Sequence, residues 1–128
     1  MADAVVIIPT YNEAENIEAI VKAVFSLEQP FDVLVVDDNS PDGTANLVIE
    51  LQKTFPNQLH LEVRKEKSGL GTAYIHGFKW SLQHGYSYIF EMDADFSHDP
   101  AEIPKFLKEI DDFDLVIGSR YKNGVNVI

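Results

Sequence analysis

Short apolar runs alternate with helix-spaced segments along the whole of this chain, and that alternation restricts the fold more than any other feature. Residues 5–8 (Val5, Val6, Ile7, Ile8) and 33–36 (Val33, Leu34, Val35, Val36) are uninterruptedly apolar, as expected of strands buried on both faces of a parallel sheet. Strands are expected over residues 4–8, 31–36, 59–63, 86–92 and 113–117. Between them, residues 13–27 carry Ile17, Ile20, Val21, Val24 and Phe25, the spacing of a helix with one buried stripe. Pro9-Thr10-Tyr11-Asn12 reads as a turn. A second helix is expected to open on Ser40-Pro41-Asp42, with a capping residue and a proline at its first position, and to run to Thr54. Further helices are expected over residues 69–84 and 100–110. Strand and helix in regular alternation predict an α/β domain, a largely parallel sheet flanked by helices on both faces. With 128 residues, the chain holds one core and a single domain spanning 1–128.

In open α/β sheets, ligands bind outside the carboxyl ends of the strands. Pro9, Tyr11 and Glu13 follow the first expected strand, Asp37 and Asp38 the second, Asp93 and Asp95 the fourth, and Arg120 the fifth. Several strand ends thus deliver polar groups to one edge of the sheet. The sharpest of them is Asp93-Ala94-Asp95, which ends the aromatic and apolar run from Tyr86 to Met92. Residues i and i+2 of an extended chain point to the same side, so both carboxylates can face one ion. Hard oxygen donors of this kind suit Mg²⁺ or Mn²⁺. Taken alone, the pair could equally solvate a strand end or cap the next helix.

The other candidates carry similar alternatives. Asp37 and Asp38 could accept hydrogen bonds from a base or ribose, or stand solvated beside a capping Asn39 or Ser40. Tyr11 could stack on a base or simply pack. Glu13 could bind a polar nucleotide atom, or sit in a first helical turn that favours acids. Arg120 could neutralise a diphosphate, or be an ordinary surface arginine. Lys67-Ser68-Gly69-Leu70-Gly71 matches neither the dinucleotide fingerprint nor the P-loop, and reads as a flexible start to a helix. The four histidines, His60, His76, His84 and His98, lack metal-ligand spacing, and only His98 stands near the Asp pair.

Composition narrows the classes. The absence of cysteine removes disulfides, thiolate chemistry and cysteine zinc sites, and fits a reducing compartment. No apolar run approaches the ~20 residues of a membrane span, and the first residues lack the basic and apolar regions of a signal peptide. A cytoplasmic domain is expected, soluble or peripheral at the cytoplasmic face of a membrane. The net charge of −11 repels a phosphate backbone, which argues against nucleic acid as partner.

Pro9-Thr10-Tyr11-Asn12-Glu13, the run from Val35 through Asp37-Asp38-Asn39-Ser40 to Gly43, Gly69-Leu70-Gly71, the run from Met92 through Asp93-Ala94-Asp95 to His98, and Gly118-Ser119-Arg120-Tyr121 resemble, in that order, the motifs of family 2 glycosyltransferases. Within that family the likeness is to the dolichol-phosphate or polyprenol-phosphate mannosyltransferase branch, and it covers essentially the whole chain. The resemblance implies a GT-A (nucleotide-diphospho-sugar transferase) fold, a nucleotide-sugar donor with GDP-mannose favoured, a Mg²⁺ or Mn²⁺ cofactor and a polyprenyl or dolichyl phosphate acceptor. It assigns Pro9, Tyr11, Glu13, Val36, Asp37 and Asp38 to the nucleoside. Asp93, Ala94 and Asp95 would contact donor or metal, and Arg120 the diphosphate. Asp93, Asp95 and Arg120 are the implied catalytic groups. Ser97 stands where some relatives carry a metal-reaching glutamine, and its shorter side chain would meet the metal through water.

The implied reaction is an inverting hexosyl transfer. Two alternatives accompany it: transfer of glucose or an amino sugar from a UDP donor, and a receiver-like, Mg²⁺-binding signalling module without catalysis. In the resembling family more sequence follows Gly118, so the chain is expected to be the N-terminal, donor-binding part of a catalytic domain, cut after its fifth strand. Apolar surface left uncovered by such a cut would favour a homo-oligomer.

Overall fold

The computed structural model describes residues 2–27, 30–65 and 70–94, with the side chain of Leu70 excepted. Seven elements follow in strict alternation: β1 (Ala4–Thr10), α1 (Ile17–Phe25), β2 (Asp32–Asp37), α2 (Thr44–Thr54), β3 (Leu59–Val63), α3 (Leu70–Gln83) and β4 (Tyr88–Glu91). The four strands form one sheet in the order β3-β2-β1-β4, and every pairing is parallel. The expected helix over 100–110 and strand over 113–117 lie outside the described residues.

Side-chain alternation along the strands divides the core in two. Ala4, Val6, Ile8, Val33 and Val35 face one side, where α1 packs Ile17, Ile20, Val21 and Val24 and α2 packs Val48 and Leu51. Val5, Ile7, Leu34, Val36 and Ile89 face the other, under Ala73, Tyr74, Phe78 and Trp80 of α3. The chain runs from β1 to β2 to β3 in one direction across the sheet and then returns past β1 to β4. Right-handed crossovers place α1 and α2 on one face and, because the direction reverses, α3 on the other. That reversal makes the boundary between β1 and β4 a switch point, where the chain leaves a crevice at the carboxyl edge.

Gly77 sets the distance between α3 and the sheet. A Cβ at this position would lie 2.7 Å from Ile7 Cγ2, 3.2 Å from Ile7 Cδ1 and 3.3 Å from Val36 Cγ2. Ala73 and Ser81, one turn before and after it, are also small and buried. Ser81 turns its hydroxyl back to the Gly77 carbonyl at 2.8 Å, satisfying it inside the contact.

Several boundaries differ from the sequence reading, four of them with an identifiable cause. Pro9 and Thr10 continue β1 rather than opening a turn, because Pro9 pairs in register with Val36 and Thr10 with Asp37. The first helix starts at Ile17, not at residue 13. The N–H groups of Asn12, Glu13 and Ala14 are taken by the side chains of Ser40, Thr44 and Asp42, so this stretch is tied to the next loop and winds only one turn, in which Asn16 and Ile17 donate to the Glu13 carbonyl. The second helix starts at Thr44 rather than at Ser40-Pro41. The Ser40 hydroxyl is engaged by Asp37, the N-cap position is Gly43, and Asp42 just before it accepts the Thr44 N–H at 3.1 Å. Gly43 makes this start possible with φ +87°, a left-handed conformation costly for other residues. Finally, β4 begins at Tyr88 rather than Tyr86. The Tyr86 side chain instead turns into the α3 face, where its hydroxyl donates to buried Asp32 at 2.6 Å.

Candidate functional site

The carboxyl ends of β1 and β2 are joined by a buried carboxylate. Asp37 is fully buried, and its Oδ1 accepts from the hydroxyls of Thr10 at 2.7 Å and Ser40 at 2.6 Å. Its Oδ2 accepts the Ser40 N–H at 2.9 Å. Three donated hydrogen bonds satisfy a polar group that would be costly to bury without partners. Asp37 therefore holds the two strand ends and the β2–α2 loop in one arrangement. Asn12 and Asn39 adopt φ +57° and +56° directly after these strands, a conformation asparagine tolerates better than most residues.

Asp38 is engaged differently. Arg64, the residue after β3, donates from Nε to Asp38 Oδ1 at 2.6 Å and from Nη2 to Oδ2 at 2.7 Å. This is the two-pronged geometry for which a guanidinium is suited. Arg64 Nη1 also donates to Thr72 Oγ1 at 2.9 Å, on the first turns of α3. The side chains of Arg64 and Asp38 are 13% and 7% exposed, so the pair is largely shielded from water. Sequence reading missed Arg64. The signal was present, since Arg64 follows a strand end just as the other edge residues do.

The remaining candidates of this half surround those two aspartates. Tyr11 is 37% exposed beside the strand ends. The Glu13 carboxylate accepts from Asn16 Nδ2 at 3.2 Å, while its N–H is held by Thr44. The Val36 side chain is buried beneath α3 and Pro9 is buried opposite it in the neighbouring strand, so a ligand at the edge would meet these two through their main chain.

Across β1, the end of β4 supplies the other half. Met92 donates its N–H to the Ile7 carbonyl at 2.9 Å, and Asp93 is the first side chain beyond that bond. Phe90 and Met92 belong to the α1–α2 face and Ile89 to the α3 face. The same alternation turns Asp93 toward α3, where the Tyr74 hydroxyl donates to its Oδ1 at 2.7 Å. Ala94 is buried. Asp95, Ser97, His98 and Arg120 lie outside the described residues, and so does the segment 67–69.

Among the described residues no group of three or more His, Cys, Asp or Glu side chains could hold a metal by itself. The donor chemistry nevertheless fits Mg²⁺ or Mn²⁺, which are ordinarily held by one or two carboxylates together with substrate phosphates. Asp93, half-buried and already oriented by Tyr74, is such a carboxylate.

Two residues before Asp93, Glu91 is partly buried. Burial, and then the charge of Asp93, push its carboxyl up from 4.5 to about 7. Between these values the folded chain holds a proton that the unfolded chain releases, so stability falls as pH rises from about 4.5 to about 7. In metal-free buffer, Glu91→Gln is expected to flatten that decline. Urea midpoints at pH 5 and pH 8 should differ less in the variant than in the parent, by about 1–3 kcal/mol, since one pKa unit corresponds to about 1.4 kcal/mol. An unchanged difference would contradict the assignment.

A second polar cluster sits at the opposite end of the sheet. Asp32, at the start of β2, accepts from Tyr86, with His60 Nε2 4.0 Å away. Trp80 stacks on His84 with ring centroids 3.9 Å apart. Burial, opposed by Asp32 and assisted by His84, lowers the His60 pKa below its ordinary value. This cluster is internally bonded and stands away from the carboxyl edge.

The sequence model described as Glycosyl transferase family 2 matches residues 5–127. A polyprenol monophosphomannose synthase of Mycolicibacterium smegmatis is 50% identical over 123 residues, covering 95% of this chain and 46% of that protein. An undecaprenyl-phosphate mannosyltransferase of Micrococcus luteus is 44% identical over 122 residues, covering 95% of this chain and 50% of that protein. The chain thus spans about half the length of these curated relatives. Among solved structures, a mannosyltransferase from Pyrobaculum calidifontis in complex with GDP-Man and Mn²⁺ superposes with a TM-score of 0.58 at 33% identity, over 61% of this chain and 24% of that one.

Proposed function

Because the chain belongs to glycosyl transferase family 2, we propose that it is the donor-binding part of a GT-A catalytic domain that transfers mannose from GDP-mannose to a polyprenyl phosphate. The observation that carries this reading is the pair of aspartate positions flanking β1 at the carboxyl edge, Asp38 gripped by Arg64 and Asp93 gripped by Tyr74. The names of the two curated relatives support the sugar and the acceptor class, and the solved neighbour supports the donor and a divalent cation.

In this reading Asp38, Tyr11, Glu13 and the main chain at Pro9 and Val36 receive the nucleoside. Asp37 acts through the loops it holds. Asp93, Ala94 and Asp95 face the diphosphate, Asp93 and Asp95 as metal ligands and Ser97 through water, and Arg120 neutralises diphosphate charge. When bound, Mg²⁺ or Mn²⁺ supplies a Lewis acid for the charge that gathers on the leaving diphosphate. The acceptor phosphate is already anionic near neutral pH, so its oxygen attacks the anomeric carbon without a strong protein base. The bond between that carbon and the diphosphate oxygen breaks, its electron pair leaves with the nucleoside diphosphate, and one displacement inverts the anomeric centre. An acceptor with a polyprenyl tail places the reaction at a membrane surface. No described helix is long and apolar enough to cross the membrane itself.

A thermal-shift matrix of GDP, UDP and their mannose, glucose and N-acetylglucosamine conjugates, each with and without Mn²⁺, tests the proposal. A ligand at 100 times its Kd should stabilise the fold by about 2.7 kcal/mol. The expected result is a Mn²⁺-dependent shift selective for GDP and GDP-mannose that Asp95→Ala abolishes. Selectivity for UDP would reassign the donor, and no shift with any nucleotide would contradict donor binding by this chain.

A further inference from the structure

Tyr74 lies on α3 next to the small residues that let the helix approach the sheet. Its ring packs against the core cluster of Val5, Ile7, Leu34, Val36 and Ile89, and its hydroxyl extends past the end of β4 to Asp93 Oδ1. An apolar body anchored in the core with a polar tip at the edge is a rigid way to place one donor. The phenol hydroxyl donates to the Asp93 carboxyl oxygen at 2.7 Å, a short and directional bond. It fixes one carboxylate oxygen and with it the rotation of the group.

Orientation matters at this position. Mg²⁺ tolerates little departure from octahedral geometry, and outer partners that orient a ligating group commonly carry 10- to 100-fold in metal affinity. The same turns of α3 also carry Thr72, which meets Arg64 and through it Asp38. One helix therefore braces both halves of the edge, Thr72 through Arg64 on the Asp38 side and Tyr74 on the Asp93 side.

We infer that Tyr74 is the positioning residue for Asp93, its hydroxyl holding that carboxylate in the orientation that meets the cation and diphosphate of the donor. The inference rests on the donor reading above. It is tested by calorimetry with the parent chain, Tyr74→Phe, Asp93→Ala and the double variant. The probes are GDP with and without Mn²⁺, and GMP, which lacks the diphosphate. Phenylalanine keeps the packed ring and removes only the donor.

The expected result is about a 10- to 100-fold loss of Mn²⁺-dependent GDP affinity in Tyr74→Phe, with GMP affinity unchanged. In the Asp93→Ala background the same substitution should add no further loss, because the two residues act as one unit. Unchanged GDP affinity would overturn the inference. So would an equal loss for GMP, or an undiminished loss without Asp93, since either is the signature of a general structural role. If the parent shows GMP binding but no Mn²⁺ dependence with GDP, the donor reading fails and takes the inference with it.

Discussion

Gly77→Val is expected to destabilise the fold by about 3 kcal/mol or more, near the upper end of the overpacking range. The first added carbon would already stand 2.7 Å from Ile7 Cγ2, a methyl fixed directly on the β-branched carbon, which cannot move aside without turning the whole buried side chain. Ile7 and Val36 are both fully buried, so the relief must come from lifting α3 off β1 and β2. Gly77→Ala should cost less, because about 1 kcal/mol of better helix propensity offsets part of the clash. Urea midpoints with an unchanged m-value are the measurement, and an alanine variant more stable than the parent would refute the packing argument. The folded fraction of either variant should also bind Mn²⁺ with GDP more weakly, because Tyr74 and Thr72 move with the helix.

The second large effect is expected at Arg64. Truncating it in Arg64→Ala removes the guanidinium that grips both oxygens of Asp38 and leaves a carboxylate 7% exposed without that partner. Removing one member of a buried ion pair typically costs about 3–5 kcal/mol, most of it the uncompensated charge left behind. The double variant Asp38→Asn with Arg64→Ala should therefore be more stable than Arg64→Ala alone. Additive losses in that cycle, read from urea midpoints, would mean that the two side chains are energetically independent despite their geometry. GMP affinity should fall with Arg64→Ala, whereas Tyr74→Phe leaves it intact, which separates the two halves of the edge by experiment.

How much of this was legible in the sequence follows from the range of the interactions. The strands were legible because Val5 to Ile8 and Val33 to Val36 are short runs apolar on both sides, as a covered parallel sheet requires, repeated between helix-spaced segments. The stripe of Ile17, Ile20, Val21 and Val24 was legible for the same local reason, and all four are fully buried. Helix starts were misplaced because their donors are satisfied from a distance. Ser40 reads as a cap in one dimension, yet its hydroxyl serves Asp37, and it is Asp42 that accepts the first helical N–H while also accepting from Ala14, 28 residues away. At the edge, Asp93 was found because strand period and polarity change at one point. Tyr74 was not, since nothing in a helix sequence announces a partner 19 residues on.

The strand order β3-β2-β1-β4 also bears on how the edge is assembled. Everything around Asp37 and Asp38 comes from consecutive segments, whereas β4 reaches β1 only by bringing together residues on the order of 80 apart, as in Val5 with Ile89. Loop closure adds only about 0.6 kcal/mol per doubling of length, so the arrangement is thermodynamically cheap. Its consequence is a dependence on one pairing: the contacts around Asp37 and Asp38 are made without β4, whereas Asp93 stands beside the end of β1 only through the docking of β4.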